Sequence, residues 1–445
     1  RLAPADEAAL ARVVVEHEVE PERPFDAAAV GAPLARRAQR AAPRDGRVPG
    51  HPVHLGPRRE VQLRADAVFV DDGPNGQTRG SWNDLWSIDV ESKEISRLTE
   101  GEHRIGSFDV SPDMRRIAFT ARTENRRNQS NLSEIHLLDV PSGQIRVLTA
   151  NQAPEGRLTW APDSRRLAYE APSDGEWELR LDKIWILDVD SGQKAMVSSA
   201  YDGNIRSFVW TPDGSAILFS GLQGTNNNLF RLDVASGQVE QVTEASGSLA
   251  PSSFSRDRTR MAYVFQDWDT PPDLWAGPTN GGEGVQLTDA NPWIAEEIAL
   301  AESRLMKWES SDGLEIEGIL TLPVADDSDP DPLLLHIHGG PAGVFTNTFN
   351  GRAHVWAGLG YAQLSPNVRG SSGYTDALLQ GNIQDIGGGD YQDLMTGVDA
   401  VIEEGIADPD HLALRGWSYG GILGGWTITQ TDSFDAATVG AKVYE

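Results

Sequence analysis

Short apolar runs alternating with polar positions fill the chain from about residue 80 to residue 265, and turns rich in Asp, Ser, Pro and Gly close them. Leu85-Trp86-Ser87-Ile88 and Ile117-Ala118-Phe119-Thr120 are typical, and their period of two predicts β-strands. The turns themselves repeat. An Asp-Val-x-Ser unit begins at Asp89, Asp139, Asp188 and Asp233, at spacings of 50, 49 and 45 residues. A second unit keeps step with it through Ser111-Pro112-Asp113, Ala161-Pro162-Asp163, Thr211-Pro212-Asp213 and Ser255-Arg256-Asp257. Each period holds about four short strands, too few to cover their own apolar faces, and radial stacking of such units solves that problem. The pattern therefore predicts an all-β propeller over residues 61–303 with an incomplete set of blades. Four blades are clear, a weaker one runs from Asp273-Leu274-Trp275 to Val285-Gln286-Leu287-Thr288, and an atypical one precedes Trp82.

From about residue 304 the period is lost and strands alternate with helical stretches, which marks a second, α/β domain over 304–445 with a parallel sheet. Leu305 to Trp308 and Ile316 to Leu322 read as a hairpin around Asp312-Gly313. The apolar run Leu333-Leu334-Leu335-His336-Ile337 suits a strand buried on both faces. Asp390 is placed to cap a helix running to about Glu404, with Gly387-Gly388-Gly389 breaking the chain before it and Gly405 stopping it. A further strand, Leu412-Ala413-Leu414-Arg415, leads into a helix-like segment from Gly421 to about Thr429.

The first 60 residues follow neither rhythm. They lack Ser, Thr, Asn, Lys, Ile, Tyr and Trp, and read as an atypical or disordered segment with no assigned function. The whole chain of 445 residues carries 38 basic and 66 acidic residues, a net charge of −28 that repels phosphate backbones and anionic lipid headgroups. Neither nucleic acid nor a membrane surface is expected as a partner. With no cysteine, disulfides, thiolate catalysis and Cys-based metal centres are excluded. No run of 18 or more apolar residues offers a spanning helix, and the chain opens on Arg1 without a leader pattern. The cytoplasm is slightly favoured over the periplasm, and the compartment is otherwise undetermined.

The chemistry concentrates after residue 335. Gly416-Trp417-Ser418-Tyr419-Gly420 is a Gly-x-Ser-x-Gly pentapeptide between a buried strand and a helix. A serine hydroxyl becomes a useful nucleophile only when it is held exposed beside a base, and a sharp strand-to-helix turn does that at the cost of backbone strain. Gly416, Trp417 and Gly420 frame the elbow, and the helix start behind Ser418 offers its amides and positive dipole end to a developing oxyanion. His338-Gly339-Gly340-Pro341 follows the earlier buried strand, where the Gly340 amide, or that of its neighbour Gly339, can approach a substrate oxygen unobstructed. Asn367-Val368-Arg369-Gly370-Ser371-Ser372-Gly373-Tyr374 is a polar, glycine-rich loop in which Arg369 either orients a substrate carboxyl or ties loops together. His336 and His338 point the same way on a strand, but no third ligand accompanies them and no metal is assigned. Gly387-Gly388-Gly389 lacks the Lys-Ser or Lys-Thr of a phosphate loop, and the acidic pair Glu296-Glu297 reads as a solvated face.

Residues 80 to 445 resemble the prolyl oligopeptidase family of serine peptidases, which join an N-terminal propeller to a C-terminal α/β-hydrolase domain. The resemblance rests on the ordered set His338 to Pro341, Asn367 to Ser371, Asp390 to Asp393 and Gly416 to Gly421, and is strongest toward the acylaminoacyl-peptidase and dipeptidyl-peptidase-like bacterial branches. It implies Ser418 as acylating nucleophile, backbone amides of Tyr419 and Gly340 as oxyanion donors, no cofactor, and short peptides as substrates admitted past the propeller. A homo-oligomer is compatible with the family.

In α/β-hydrolases the triad runs Ser, then acid, then His. After Ser418 no histidine follows, the last in the chain being His411, and the only acids are Asp432, Asp435 and Glu445. The chain thus reads as cut off after the nucleophile helix, with base and acid beyond residue 445, and by itself is expected to be inactive. Two other readings remain at this level: an esterase or acyl-peptide hydrolase, and a propeller binding or scaffold protein carrying a catalytically silent hydrolase remnant.

Overall fold

The computed structural model describes residues 12–17, 82–123, 131–151, 153–173, 178–324 and 330–441. Two compact units divide the chain, one of residues 1–104 with 123–129, the other of residues 105–122 with 130–445. In the first unit, β1 (Arg12–His17) and β3 (Ile95–Arg97) flank β2 (Asn83–Ile88) in an antiparallel sheet. Apart from β1, the atypical segment 1–60 lies outside the described residues.

The second unit opens with four antiparallel meanders. They are β4 (Arg104–Val110) to β7 (Gln144–Val147) through β5 (Arg116–Arg122) and β6 (Glu134–Asp139); β8 (Leu158–Trp160) to β11 (Lys194–Met196) through β9 (Arg166–Pro172) and β10 (Asp182–Asp188); β12 (Asn204–Trp210) to β15 (Val239–Gln241) through β13 (Ala216–Gln223) and β14 (Asn226–Asp233); and β16 (Ser248–Phe254) to β19 (Val285–Gln286) through β17 (Arg260–Gln266) and β18 (Asp273–Pro278). These are four-stranded propeller blades, and both turn markers fall between their strands. The Pro-Asp turns join first strand to second and the Asp-Val-x-Ser turns join third to fourth. In the latter the Asp carboxylate accepts the Ser amide and hydroxyl, as in Asp139 with Ser142 at 3.0 and 2.6 Å. The segment from Asp273 to Thr288 is the outer half of the last complete blade rather than a blade of its own.

A third repeat is invisible as a motif because its two members are 14 residues apart. A hydroxyl just past the last strand accepts an amide near the start of the strand before it: Thr99 from Leu85 at 2.9 Å, Thr149 from Ile135 at 2.8 Å, Ser198 from Ile184 at 2.8 Å, Thr243 from Leu229 at 2.9 Å and Thr288 from Leu274 at 2.9 Å. Where the hydroxyl donates onward it reaches Asp84, Glu155, Asn228 or Asp273. Each closure thus satisfies one backbone donor at the point where the ladder ends, a buried one in all but the Leu274–Thr288 pair. Neighbouring blades are joined by tryptophan and arginine. Trp160 and Trp210 donate their indole N–H to the carbonyls of Asp109 and Thr159 at 3.1 and 3.2 Å, and Arg116 and Arg166 lie over those two rings at 5.3 and 5.1 Å.

After α1 (Pro292–Glu297) a six-stranded sheet forms in the order β20 (Ser303–Glu309), β21 (Glu315–Thr321), β23 (Ala362–Asn367), β22 (Asp331–Ile337), β24 (Ala407–Trp417), β25 (Ala436–Gly440). The first two pairings are antiparallel and the last three parallel. The crossovers carry α2 (Gly351–Gly358), α3 (Asp376–Leu379) with α4 (Gly389–Glu403), and α5 (Tyr419–Gln430). One core unites the sheet with α4 and α5: Leu333, Leu335 and Leu364 from the strands, Leu394, Val398 and Val401 from α4, Tyr419 and Leu423 from α5.

Backbone hydrogen bonds tie blades to the sheet domain inside this unit. The Gly224 amide donates to the Gly373 carbonyl at 2.7 Å, the Asn347 amide to Thr225 O at 2.7 Å, and the Leu181 amide to Asp376 Oδ1 at 2.7 Å. His354 bridges the junction, its Nδ1 accepting the Ala301 amide at 3.1 Å while Nε2 faces the Trp268 carbonyl at 3.0 Å. Pairing on Nδ1 requires the Nε2–H tautomer, so both contacts are hydrogen bonds.

Two predictions follow from the blade closures. Thr243→Val strips the partner from the Leu229 amide and leaves Asn228 Oδ1 with the Ala245 amide alone, without changing shape, so the unfolding free energy falls by about 1–3 kcal/mol in urea titrations. Burial pushes the Glu155 carboxyl from 4.5 up to about 8, the Asn151 amide opposing and the Glu134 charge adding to the rise. Between those two values the unfolded chain loses this proton and the folded chain keeps it, so this contribution to stability is lost as pH rises through about 8. Glu134→Gln removes the neighbouring charge and flattens that loss, read by denaturation at about pH 5, 7 and 9.

Candidate active site

The parallel strand β24 runs straight into α5, and the single residue between them is Ser418. Its backbone sits at φ 58°, ψ −122°, a sparsely populated conformation for a residue with a Cβ. Such a turn requires a residue without a side chain two positions to either side. A Cβ on Gly416 would meet the Gly420 carbonyl oxygen at 2.0 Å, and one on Gly420 would meet the Ile337 carbonyl oxygen at 2.3 Å. Ser418 itself is exposed, and its amide is held by the Gly440 carbonyl at 3.0 Å. Its carbonyl accepts the Gly421 and Ile422 amides, which leaves the first amides of α5, those of Tyr419 and Gly420, without intrahelical acceptors.

Two loops close on the elbow. The turn after β22 brings Gly339 so near that a Cβ there would lie 3.5 Å from Ser418 Cβ and 3.2 Å from the Trp417 carbonyl. Gly340, the next residue, has φ 141°, and its amide makes no hydrogen bond among the described residues. The loop after β23 lies behind that turn: the Ser372 amide and hydroxyl bond the carbonyls of Gly343 and Ala342 at 2.9 and 2.6 Å, and Ser371 Oγ reaches His338 Nε2 at 3.0 Å. Arg369 anchors this loop. Its guanidinium meets both oxygens of fully buried Asp393 at 2.8 and 3.0 Å and both oxygens of Asp312 at 2.9 and 3.0 Å, joining the loop to α4 and to the β20–β21 turn. These two carboxylates hold the guanidinium charged against the cost of burial.

Asp390 departs from the expectation of a helix cap. Gly388 occupies the cap position, and Asp390 turns inward, fully buried, where burial raises its carboxyl pKa. One oxygen accepts the Gly387 and Tyr391 amides and the other the Tyr419 hydroxyl at 2.5 Å, while the Asn382 amide donates to the same phenol at 3.2 Å. The physical reason is competition: a phenol buried in the core beneath α5 needs an acceptor, and the Asp390 carboxylate supplies it. The first residue of α5 is thereby clasped to the start of α4. Nothing in the sequence marks Asp390, Asn382 or Ser371 for these roles, since their partners lie 29 to 37 residues away.

The remaining titratable candidates lie elsewhere. His411 pairs with Asp408 at 2.7 Å, a contact that raises its pKa, and stands on β24 seven residues before Ser418, roughly 20 Å along an extended strand. The Asp435 amide and carboxylate pair with Leu412 at that same distant end. His336 has its pKa pushed down to about 4 by burial, and lines an open hollow of ≈ 530 Å³ with Trp356, Trp417 and Val439. Ser418 is not among the residues lining that hollow. Trp417 is 69% exposed. No helix among the described residues is long and apolar enough to cross a membrane.

A propeller followed by an α/β-hydrolase sheet, with an exposed serine at the strand-to-helix elbow and free amides around it, defines a serine-hydrolase architecture. Residues 347–445 match the Prolyl oligopeptidase family. The chain is 33% identical over 388 residues to the uncharacterized peptidase YuxL of Bacillus subtilis, covering 83% of this chain and 58% of that protein. It is 25% identical over 267 residues to dipeptidyl-peptidase 5 of Porphyromonas gingivalis, covering 59% and 39%. Among solved structures, Pyrococcus horikoshii acylaminoacyl peptidase shares the fold with a TM-score of 0.58 at 20% identity, covering 80% of this chain and 66% of that one. The chain spans about half the length of the curated relatives it matches.

The elbow gives two stability predictions. Gly416→Ala forces its Cβ into the Gly420 carbonyl and lowers stability by about 3 kcal/mol or more, seen as a lost or shifted thermal transition. Tyr419→Phe leaves the Asp390 carboxylate and the Asn382 amide short of a partner, and costs about 1–3 kcal/mol in urea titration.

Proposed function

We propose that the protein containing these residues is a serine peptidase that hydrolyses short peptides through an acyl-enzyme on Ser418. The observation that supports this reading best is the elbow, which keeps a strained, exposed serine between the first amides of α5 and the Gly339–Gly340 turn. In the same reading residues 61–303 form the propeller, which limits access to short peptides, and residues 304–445 form the hydrolase portion.

The chemistry follows from the placements. Ser418 Oγ attacks the scissile carbonyl carbon while its proton passes to a base, and the carbonyl oxygen gains a negative charge between the Tyr419 and Gly340 amides. Collapse of that adduct expels the amine, which takes the proton from the base, and water then attacks the ester to release the acid and restore the hydroxyl. The described residues bring no imidazole to Ser418, since His338 is committed to Gly339 and Ser371 and His411 stands at the far end of β24. We assign the base and its orienting carboxylate to chain beyond Glu445, in the order Ser, acid, His. The reaction needs no cofactor.

In the full-length protein, Ser418→Ala lowers turnover of aminoacyl-anilides by about 10⁴-fold or more and abolishes fluorophosphonate labelling. The 445-residue chain alone turns over at no more than residual rates, and enzyme-like rates from it would refute the assignment of the base. Comparing anilides with p-nitrophenyl esters separates a peptidase from an esterase.

A further inference from the structure

The turn that presents the second oxyanion donor is wired to a buried imidazole. We propose that His338 is the positioning residue of that donor: protonated on Nδ1, its ring holds the Gly339 carbonyl and so aims the Gly340 amide, at the other end of the same peptide group, at the oxygen that becomes negative. This inference rests on the serine-peptidase reading above.

A peptide group is planar, with its C=O and N–H pointing in opposite directions, so fixing the Gly339 oxygen fixes the Gly340 amide. His338 Nδ1 lies 2.8 Å from Gly339 O, and Nε2 lies 3.0 Å from Ser371 Oγ. The residue is only 8% exposed and burial lowers its pKa, so the ring is neutral and has one N–H to give. Were that proton on Nε2, the Nδ1 lone pair would face the Gly339 oxygen, two buried acceptors with no donor between them. With the proton on Nδ1 the Gly339 oxygen is paired, and Nε2 accepts the Ser371 hydroxyl. The Val368 carbonyl, which that hydroxyl also reaches at 2.6 Å, still keeps the Ser371 amide at 3.0 Å. Only the Nδ1–H form leaves every acceptor in the cluster with a donor.

The ring cannot drift. Phe345 lies edge-on to it at 5.3 Å, and Gly343 packs so tightly that a Cβ there would sit 2.7 Å from Nδ1 and 2.1 Å from Gly339 O. A donor on the carbonyl also polarises the peptide and strengthens its N–H as a hydrogen-bond donor. The Gly340 amide has no partner among the described residues, so that capacity remains available to a substrate oxygen.

One test requires no activity. In the 445-residue protein labelled with ¹⁵N-histidine, long-range ¹H–¹⁵N correlations that vanish in His338→Asn show a protonated Nδ1 and an unprotonated Nε2; the reverse tautomer overturns the proposal. The second test uses the full-length peptidase. His338→Ala lowers kcat about 10- to 100-fold with KM changed less than about threefold, because the interaction it weakens forms in the transition state. His338→Asn, whose amide N–H lies where Nδ1–H lies, recovers most of the loss, while His338→Gln, whose amide reaches toward Ser371, does not. A kcat for His338→Ala within about threefold of the parent, or Asn no better than Gln, overturns the proposal. Should the Ala variant fail to fold, the Asn and Gln pair and the tautomer decide alone. Turnover that survives Ser418→Ala overturns both this inference and the reading beneath it; turnover lost there but kept in His338→Ala overturns this inference alone.

Discussion

A serine held at φ 58° between a buried strand and a helix is the constraint around which the α/β domain is arranged. That conformation costs about 1–3 kcal/mol and persists only where the surroundings over-determine it. The surroundings are identifiable: Gly416 and Gly420 let three backbone segments meet at contact distance, the Gly440 carbonyl on β25 holds the Ser418 amide, and the Tyr419 side chain is locked in the core. Relaxing any of these lets the elbow return toward ordinary helix geometry and withdraws the hydroxyl.

Polar groups buried under the elbow do the fine positioning that packing cannot. Tyr419 is held by Asp390 and Asn382, the Gly339 turn by His338 and Ser371, and the loop behind both by Arg369 between Asp393 and Asp312. The two systems touch, since Asn382 lies against Gly370, where a Cβ would sit 2.4 Å from its Nδ2. The start of α5 and the Gly339–Gly340 turn therefore hang from one framework of charge-assisted and neutral hydrogen bonds, in which loss of one partner leaves another buried group unpaired.

The blades solve a different problem with the same economy. Each ladder ends on a hydroxyl that satisfies a backbone donor, and the first three blades of the second unit lean on one another through an indole N–H and an arginine over its ring. Repetition makes these contacts additive along the array, so stability is spread over nearest-neighbour interfaces rather than stored in one core.

Much of this was legible without coordinates. The period of two and the recurring Asp turns contain the blades, because a strand's facing and a turn's Asx bond are local properties of adjacent residues. The strand-Gly-x-Ser-x-Gly-helix order contains the elbow for the same reason, and Gly416, Ser418 and Gly420 are where that order puts them. The 14-residue hydroxyl closures, the inward turn of Asp390, and the Ser371–His338–Gly339 chain were decided only by the tertiary fold. Each pairs side chains from different elements whose partners are chosen by proximity and by the need to satisfy buried donors and acceptors. A helix cap and an inward clasp use the same aspartate, and only the position of a distant phenol distinguishes them.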